Sequence, residues 1–207
     1  MVVFEPQENF PEPISDEIRA IFTSPTAPAW CAHVLDDPTL RPIGTRNRTP
    51  KASTEDSLVA ETLATDATIP AWQSFFKPFT KKDERDDDDG MAPVAGELVS
   101  LLALGRGMNG HADVAHGGVV AAILDDTMGM VVQSHATPGV PAFTAYMTVQ
   151  YKKPIPTPGA VLCRTWLERR SSGRKLYLRA RIEDGKGGLY AEAESLYVEV
   201  KPREQRL

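Results

Sequence analysis

The chain has 207 residues, enough for one domain with an extension or for two small domains. Its 28 acidic and 23 basic residues give a net charge of -5, which argues against nucleic acid as the main partner. Hydrophobic residues make up 42% of the chain, as in globular proteins, and no run of apolar residues is long enough to predict a transmembrane helix.

Two features of the sequence predict a cytoplasmic protein. The first residues, MVVFEPQENFPEP, are acidic and lack a basic leader, which disfavours a signal peptide and a transit peptide. The two cysteines, Cys31 and Cys163, form neither a disulfide framework nor a metal-ligand spacing, as is usual for a reducing compartment.

Residues 1–94 are predicted to form an N-terminal extension with short helices and an acidic loop. Ser15 is expected to cap a helix in SDEIRAIFTS, and Thr54 a helix that includes DSLVAETLA. A third short helix is predicted in AWQSFFK, after Pro70. The segment KKDERDDDDG, residues 81–90, predicts a solvated loop, because the side chains of consecutive aspartates point in different directions and make a poor metal site.

Residues 95–207 are predicted to form a second domain with a regular pattern. GELVSLLALGRG predicts a strand, and residues 117–133 predict one long apolar helix. Four more strands are predicted in FTAYMTVQYKKPI, AVLCRTWLERR, KLYLRARIED and LYAEAESLYVEVK, joined by turns. This order predicts an α+β fold in which an antiparallel sheet wraps around the helix.

The segment HGGVVAAILDDTMGMVV combines an apolar helix with two adjacent acids, Asp125 and Asp126. A helix that is apolar all round belongs in a core, where a carboxylate is costly unless it is paired, protonated or used. Gly117 and Gly118 follow His116 at the start of this helix, where their backbone N–H groups offer an anion site. The segment therefore predicts an enzyme with an anion site and a reactive carboxylate.

The spacing within the helix predicts a site made by two chains. Gly117 and Asp125 are eight residues apart, which is about 12 Å along a helix. One helix cannot bring both residues to the same reacting atom, so we expect the glycines of one subunit to meet the acid of its partner in a homodimer or a dimer of dimers. Asp126 lies about 100° around the helix from Asp125 and is predicted to cap, to pair with an arginine or to lie at the subunit contact.

HGGVVAAILDD, followed by TAYMTVQYKKPIPTPG, resembles the hot-dog fold acyl-CoA thioesterases. The resemblance covers about residues 95–200 and is to the branch with phenylacetyl-CoA and human acyl-CoA thioesterases; the whole chain is similar to fungal thioesterase-superfamily proteins with N-terminal extensions. It implies a hot-dog fold, hydrolysis of acyl-CoA thioesters and assembly as homodimers or homotetramers. It implies no metal and no redox cofactor, since coenzyme A enters only as part of the substrate.

The resemblance also assigns roles to particular residues. Gly117 and Gly118 match the glycines whose N–H groups hold the thioester oxygen. Asp125 matches the acid that acts as general base or nucleophile. Thr144 lies where relatives place a Ser or Thr that positions the attacking water.

One part of the family pattern is shifted in this chain. Relatives often carry an Asn six residues before the histidine, but position 110 is glycine and Asn109 lies one residue early. Asn109 is therefore the candidate for that contact, and His111 is a further polar candidate in the same loop. His116 is expected to hold the loop by a hydrogen bond to the backbone, although it is in principle a base.

A basic cluster is the candidate for binding the phosphates of coenzyme A. Its members are Arg164, Arg169, Arg170, Arg174 and Lys175. A solvated hairpin explains the same residues equally well.

Three alternatives to a thioesterase stay open at the level of sequence. A hot-dog hydratase or dehydratase would pair His111 or His116 with the acid. A non-catalytic domain would bind acyl-CoA without hydrolysing it. A thioesterase of a biosynthetic pathway would act on acyl groups attached to a carrier protein.

Overall fold

The computed structural model describes residues 12–79, 96–171 and 173–200. The α-helices are α1 (Asp16–Phe22), α2 (Trp30–Leu35) and α3 (Gly117–His135). The strands are β1 (Arg41–Ile43), β2 (Ala71–Pro78), β3 (Gly96–Leu104), β4 (Asn109–His111), β5 (Val114–Ala115), β6 (Ala142–Tyr151), β7 (Gly159–Arg170), β8 (Lys175–Glu183) and β9 (Leu189–Glu199).

Seven strands form one antiparallel sheet in the order β1-β2-β3-β7-β8-β9-β6, and β4 and β5 form a separate hairpin. Helix α3 packs against β7, β8, β6, β3 and β9 of the sheet. The core between them includes Leu124 and Met128 of the helix and Leu178 and Ile182 of β8, all fully buried. The predicted α+β architecture, an antiparallel sheet around one long central helix, is confirmed.

Strand β3 is buried along its whole length because both faces of the sheet are covered at this point. Leu98 and Leu102 belong to the core on the α3 side, whereas Val99 and Leu101 belong to a second apolar cluster. That second cluster includes Phe22 of α1 and residues of α2, so the two N-terminal helices cover the outer face of the sheet. Burial on both faces explains why this strand shows a continuous apolar run rather than alternation.

The predicted helix in AWQSFFK is wrong, because this segment is strand β2. It pairs with β3 from Ala71, opposite Ala103, to Pro78, opposite Gly96. Trp72 packs in the α3-side core, and Phe75 packs in the outer cluster. Strand alternation places these aromatic residues in two cores, which a helix of this length could not do.

The other predictions for the extension have mixed outcomes. Helix α1 forms, and Ser15 Oγ accepts a hydrogen bond from the Ile18 N–H at 3.2 Å, as a capping residue should. DSLVAETLA forms only a π-helical turn, Leu58–Thr62, and Thr54, at φ +63°, is not its cap. The segment of residues 81–90 lies outside the described residues.

Strands β1 and β2 come from the first 94 residues of the chain and are hydrogen-bonded into the same sheet as the later strands. The five strands predicted after residue 95 are all present. Among the described residues, no helix combines the length and the apolar character needed to cross a membrane.

Candidate active site

Asp125 lies on α3 and is held by two hydroxyl groups from the sheet. Thr144 Oγ1, on β6, donates to Asp125 Oδ1 at 2.9 Å, and Tyr197 OH, on β9, donates to the same oxygen at 2.7 Å. The Tyr197 hydroxyl also lies 2.8 Å from the backbone oxygen of Asp125. The structure therefore brings the predicted pair Asp125 and Thr144 together and adds Tyr197.

Both donors engage Oδ1, and no described residue donates a hydrogen bond to Asp125 Oδ2. Burial raises the pKa of the Tyr197 phenol above its ordinary value, so this hydroxyl stays protonated and keeps donating. The carboxylate is thus fixed in orientation with one oxygen available to a ligand.

The start of α3 is arranged by His116, which is its N-cap residue. His116 Nδ1 accepts a hydrogen bond from the Gly118 N–H at 2.9 Å. The Gly118 N–H is therefore engaged, whereas the Gly117 N–H meets no acceptor among the described residues. The predicted backbone hydrogen bond of His116 is present, and Gly117 is the glycine with an available donor.

Asn109 contacts the loop around it rather than Asp125. Its side-chain amide hydrogen-bonds with the Thr157 hydroxyl and, with the amide group turned over, also with the Arg106 carbonyl and the Asp113 N–H. Residue 109 pairs with Ala115 in the β4–β5 hairpin that leads into α3. Asn109 thus supports the loop that presents the glycines.

Position 110 is glycine for a steric reason. A Cβ atom on Gly110 would lie 2.9 Å from both Cα and Cδ2 of His116. The close approach of the two residues leaves no room for a side chain at position 110. His111, at the end of β4, is exposed.

Asp126 points to the N-terminal extension. Asn47, in the 3₁₀ turn Arg46–Arg48, donates a hydrogen bond from Nδ2 to Asp126 Oδ2. Burial raises the pKa of Asp126 from 3.8 to about 7, against the lowering effect of the Asn47 hydrogen bond and the nearby Arg48 charge. Asp126 is therefore largely protonated below neutral pH. Its hydrogen-bond partner is Asn47, rather than the arginine predicted from the sequence.

The raised pKa of Asp126 predicts a pH-dependent cost to stability. Below about pH 4 the carboxyl is protonated in both the folded and the unfolded chain; between pH 4 and 7 only the folded chain keeps the proton, so stability falls as pH rises. A rise from 3.8 to about 7 corresponds to a cost of about 4 kcal/mol, fully present above pH 7. We expect Asp126→Asn to raise the free energy of unfolding at pH 8 and to change it little at pH 4.

Urea unfolding of both proteins from pH 4 to pH 8 measures this difference. The matched control is Asp66→Asn, which makes the same chemical change at an exposed loop position. A gain from Asp126→Asn that is equal at every pH would contradict the protonation argument.

Asp125 and Asp126 line the same pocket, which has a volume of about 190 Å³. The polar part of the lining is completed by Asn47, Asp56, Gln133, Thr144 and Tyr197. Gly129, Met130, Ala142 and Phe143 supply the apolar part. The pocket is thus bounded by α3, β6, β9 and the N-terminal extension.

The predicted phosphate-binding cluster lies at the opposite end of α3 from the glycines. Arg170 donates to the His135 carbonyl at 2.6 Å and to buried Glu199 at 2.9 Å. Arg174 donates to the Glu199 carbonyl, and Arg169 stacks on the Tyr177 ring at 3.5 Å from its centroid.

These contacts fix the last turn of α3 to the β7–β8 hairpin, where cations also favour the helix dipole. Lys175 is exposed at the start of β8. Binding of the coenzyme A phosphates by this cluster stays a prediction.

Two residues of the site were not predicted from the sequence, Tyr197 and Asn47. Alternation in β9 places Tyr197 on the inward face with Ala193 and Ser195, but it does not show that Asp125 lies opposite. Asn47 is 79 residues from Asp126 in a loop-like segment, and no pattern connects the two.

An antiparallel sheet around one long central helix is the hot-dog arrangement. The family model that matches the chain is the thioesterase superfamily, over residues 112–191. The structure of yhdA, a candidate thioesterase from Lactococcus lactis, is similar with a TM-score of 0.51 and 18% identity, over 65% of this chain and 95% of that one. A candidate thioesterase from Ralstonia eutropha, a phenylacetic acid degradation-related protein, has a TM-score of 0.50 and 21% identity, over 75% and 95%.

Among proteins of known name, the chain is similar to acyl-coenzyme A thioesterase THEM4. It is 34% identical to the mouse protein over 110 residues, which is 53% of this chain and 46% of the relative. It is 31% identical to the rat protein over 106 residues, 51% and 44% of the two chains. The chain thus spans less than half the length of these relatives, and together with the fold the matches confirm the resemblance to hot-dog fold thioesterases.

Proposed function

We propose that the chain is an acyl-CoA thioesterase whose reaction centre combines Asp125 of one subunit with Gly117 of its partner. The observation that carries the proposal is the orientation of Asp125 in a pocket by Thr144 and Tyr197. The THEM4 relatives, named acyl-coenzyme A thioesterases, support the reaction class and the coenzyme A part of the substrate.

The geometry suits hydrolysis of a thioester. Asp125 Oδ2 takes a proton from water while the water oxygen attacks the thioester carbon. The negative charge that develops on the carbonyl oxygen is stabilised by the Gly117 N–H and the helix dipole. The C–S bond then breaks, and the proton held by Asp125 goes to the leaving thiolate, which gives a free acid and coenzyme A.

A direct attack by Asp125 uses the same groups. In that route Oδ2 bonds to the thioester carbon, the thiolate leaves, and water hydrolyses the resulting anhydride. In both routes Gly118 would join Gly117 as a donor only after His116 Nδ1 releases its N–H.

The surface around Asp125 supports assembly of two chains. Strand β6 is an edge strand of the sheet, and its Phe143 and Tyr146 side chains are 62% and 51% exposed. A Cβ atom on Gly129, one turn after Asp125, would meet nothing within 4 Å. We propose that a two-fold-related copy covers this face and brings its own Gly117 to Asp125, because about 12 Å separates the two residues within one helix.

Mixing two inactive variants tests the shared site. We expect Asp125→Asn and Gly117→Pro each to be inactive, and their mixture to recover about a quarter of wild-type activity after subunit exchange, since half the dimers are mixed and each has one intact site. The measurement is thiol release after co-refolding of the two variants, with each variant refolded alone as the control. No recovery, despite mixed dimers detected by mass spectrometry, would show that one chain supplies the whole site.

The test of the function itself is thiol release from a panel of short, long and aromatic acyl-CoAs, beside the same acyl groups on a carrier protein. Hydrolysis of the CoA esters supports the proposal. Activity on carrier-bound groups alone favours the biosynthetic alternative, and formation or loss of a double bond favours the hydratase. Binding of the CoA esters without any reaction would favour a non-catalytic acyl-CoA-binding domain.

A further inference from the structure

The pocket beside Asp125 has a polar wall contributed by the N-terminal extension. Asn47 is only 4% exposed, and its Nδ2 donates to Asp126 Oδ2. Its Oδ1 atom is buried and has no hydrogen-bond partner among the described residues. An unpaired buried acceptor is unfavourable, and Asn47 lines the pocket, so a ligand that supplies a donor to Oδ1 gains affinity.

This wall is held rigidly in place. The neighbouring Arg48 donates to the carbonyl oxygens of Val59 at 2.8 Å, Leu63 at 3.2 Å and Ile69 at 2.7 Å. These bonds fix the turn that carries Asn47 to the segment before β2. The polar groups are therefore oriented before a ligand arrives, which lowers the entropic cost of using them.

The part of the pocket that one chain encloses has room for a short acyl group. A volume of about 190 Å³ corresponds to about six water-sized groups at roughly 30 Å³ each. A four-carbon acyl group with one added oxygen fills this space. A long alkyl chain would extend beyond this space, and where it follows the polar part of the lining it would bury methylene groups against polar side chains.

The charge of the pocket limits the acyl group further. Asp56, Asp125 and Asp126 all line it, which disfavours an acyl group that ends in a carboxylate. A hydroxyl group suits the polar lining because its single O–H can donate to Asn47 Oδ1 while its oxygen accepts a hydrogen bond from protonated Asp126.

We propose that Asn47 and Asp126 are specificity-determining residues that select short acyl groups carrying a hydroxyl near the thioester. This inference rests on the proposed thioesterase function, and it gives that function a substrate class. It also gives the N-terminal extension a part in the site.

The probes are 3-hydroxybutyryl-CoA and butyryl-CoA, which differ by one hydroxyl. For the wild-type protein we expect kcat/KM to be at least about tenfold higher for the hydroxylated ester, the effect of one well-placed hydrogen bond in a pocket. Asn47→Leu and Asp126→Leu each remove a hydrogen-bonding group at similar volume and should bring the ratio to within about threefold of one. Asp66→Leu, which makes the same change as Asp126→Leu at an exposed position, is the matched control and should keep the wild-type ratio.

Calorimetry then measures the Kd of each ester for Asp125→Asn, the variant that is expected not to hydrolyse them. A wild-type ratio at or below one, or a ratio that both leucine variants retain, overturns the inference while leaving thioester hydrolysis intact. If neither ester is hydrolysed but the hydroxylated ester binds with a Kd about tenfold lower, the proposed function is overturned and the selectivity of Asn47 and Asp126 for a hydroxyl group is supported. If one leucine variant does not fold, the other variant and the wild-type ratio still test the inference.

Discussion

Replacing Asp125 by Asn should lower kcat/KM for acyl-CoA hydrolysis by about 10³-fold or more, because general-base and nucleophilic roles both require the carboxylate. The amide keeps the size of the side chain and can still accept from Thr144 and Tyr197 through its oxygen. Folding and assembly should therefore be unchanged. The measurement is the rate of thiol release, under conditions in which the wild-type rate is proportional to enzyme concentration.

Two kinds of control define this result. Asp66→Asn makes the same chemical change at an exposed loop and should have wild-type activity. Light scattering and thermal unfolding should show the wild-type oligomer and Tm for Asp125→Asn. Retention of more than a tenth of the activity would remove Asp125 from the reaction centre.

Replacing Gly117 by Pro should lower kcat by about 10²- to 10³-fold, the usual loss when one oxyanion donor is deleted. Proline removes the backbone N–H and little else at this position. Gly117 is the first residue of α3, where proline is well tolerated because no intrahelical hydrogen bond uses that N–H. His116 is already extended at φ -66° and ψ 132°, as a residue before proline prefers.

The control is Gly117→Ala, which keeps the N–H. A Cβ atom there would lie 3.5 Å from the Tyr151 ring, an ordinary contact. We expect Gly117→Ala to retain most of its activity and KM to change little in Gly117→Pro. Equal losses in the two variants would show that space around Gly117, rather than its N–H, matters for the reaction.

The two variants test different parts of the same helix. Asp125 lies near the middle of α3 and Gly117 at its start, about 12 Å away, so similar losses from both are difficult to explain within one subunit. The mixing experiment then assigns the two groups to one chain or to two.

Local patterns in the sequence determined most of the second half of the fold. Alternation in KLYLRARIED placed Leu176, Leu178, Ala180 and Ile182 on the buried face of β8, where the structure has them. The position of Asp125 on an apolar helix made it the candidate for a reactive acid, and the rise of the helix placed it about 12 Å from Gly117. These features depend on spacing along a single element, which sequence periodicity reports directly.

Only the tertiary structure decided what lies opposite each element. Strand β2 exists because β3 offers it a full ladder of hydrogen bonds and two apolar cores, although AWQSFFK alone favoured a helix. Tyr197 and Asn47 reach Asp125 and Asp126 from positions 72 and 79 residues away along the chain. Sequence periodicity carries no information about such pairs, because the free energy of a long-range contact comes from packing of the whole fold.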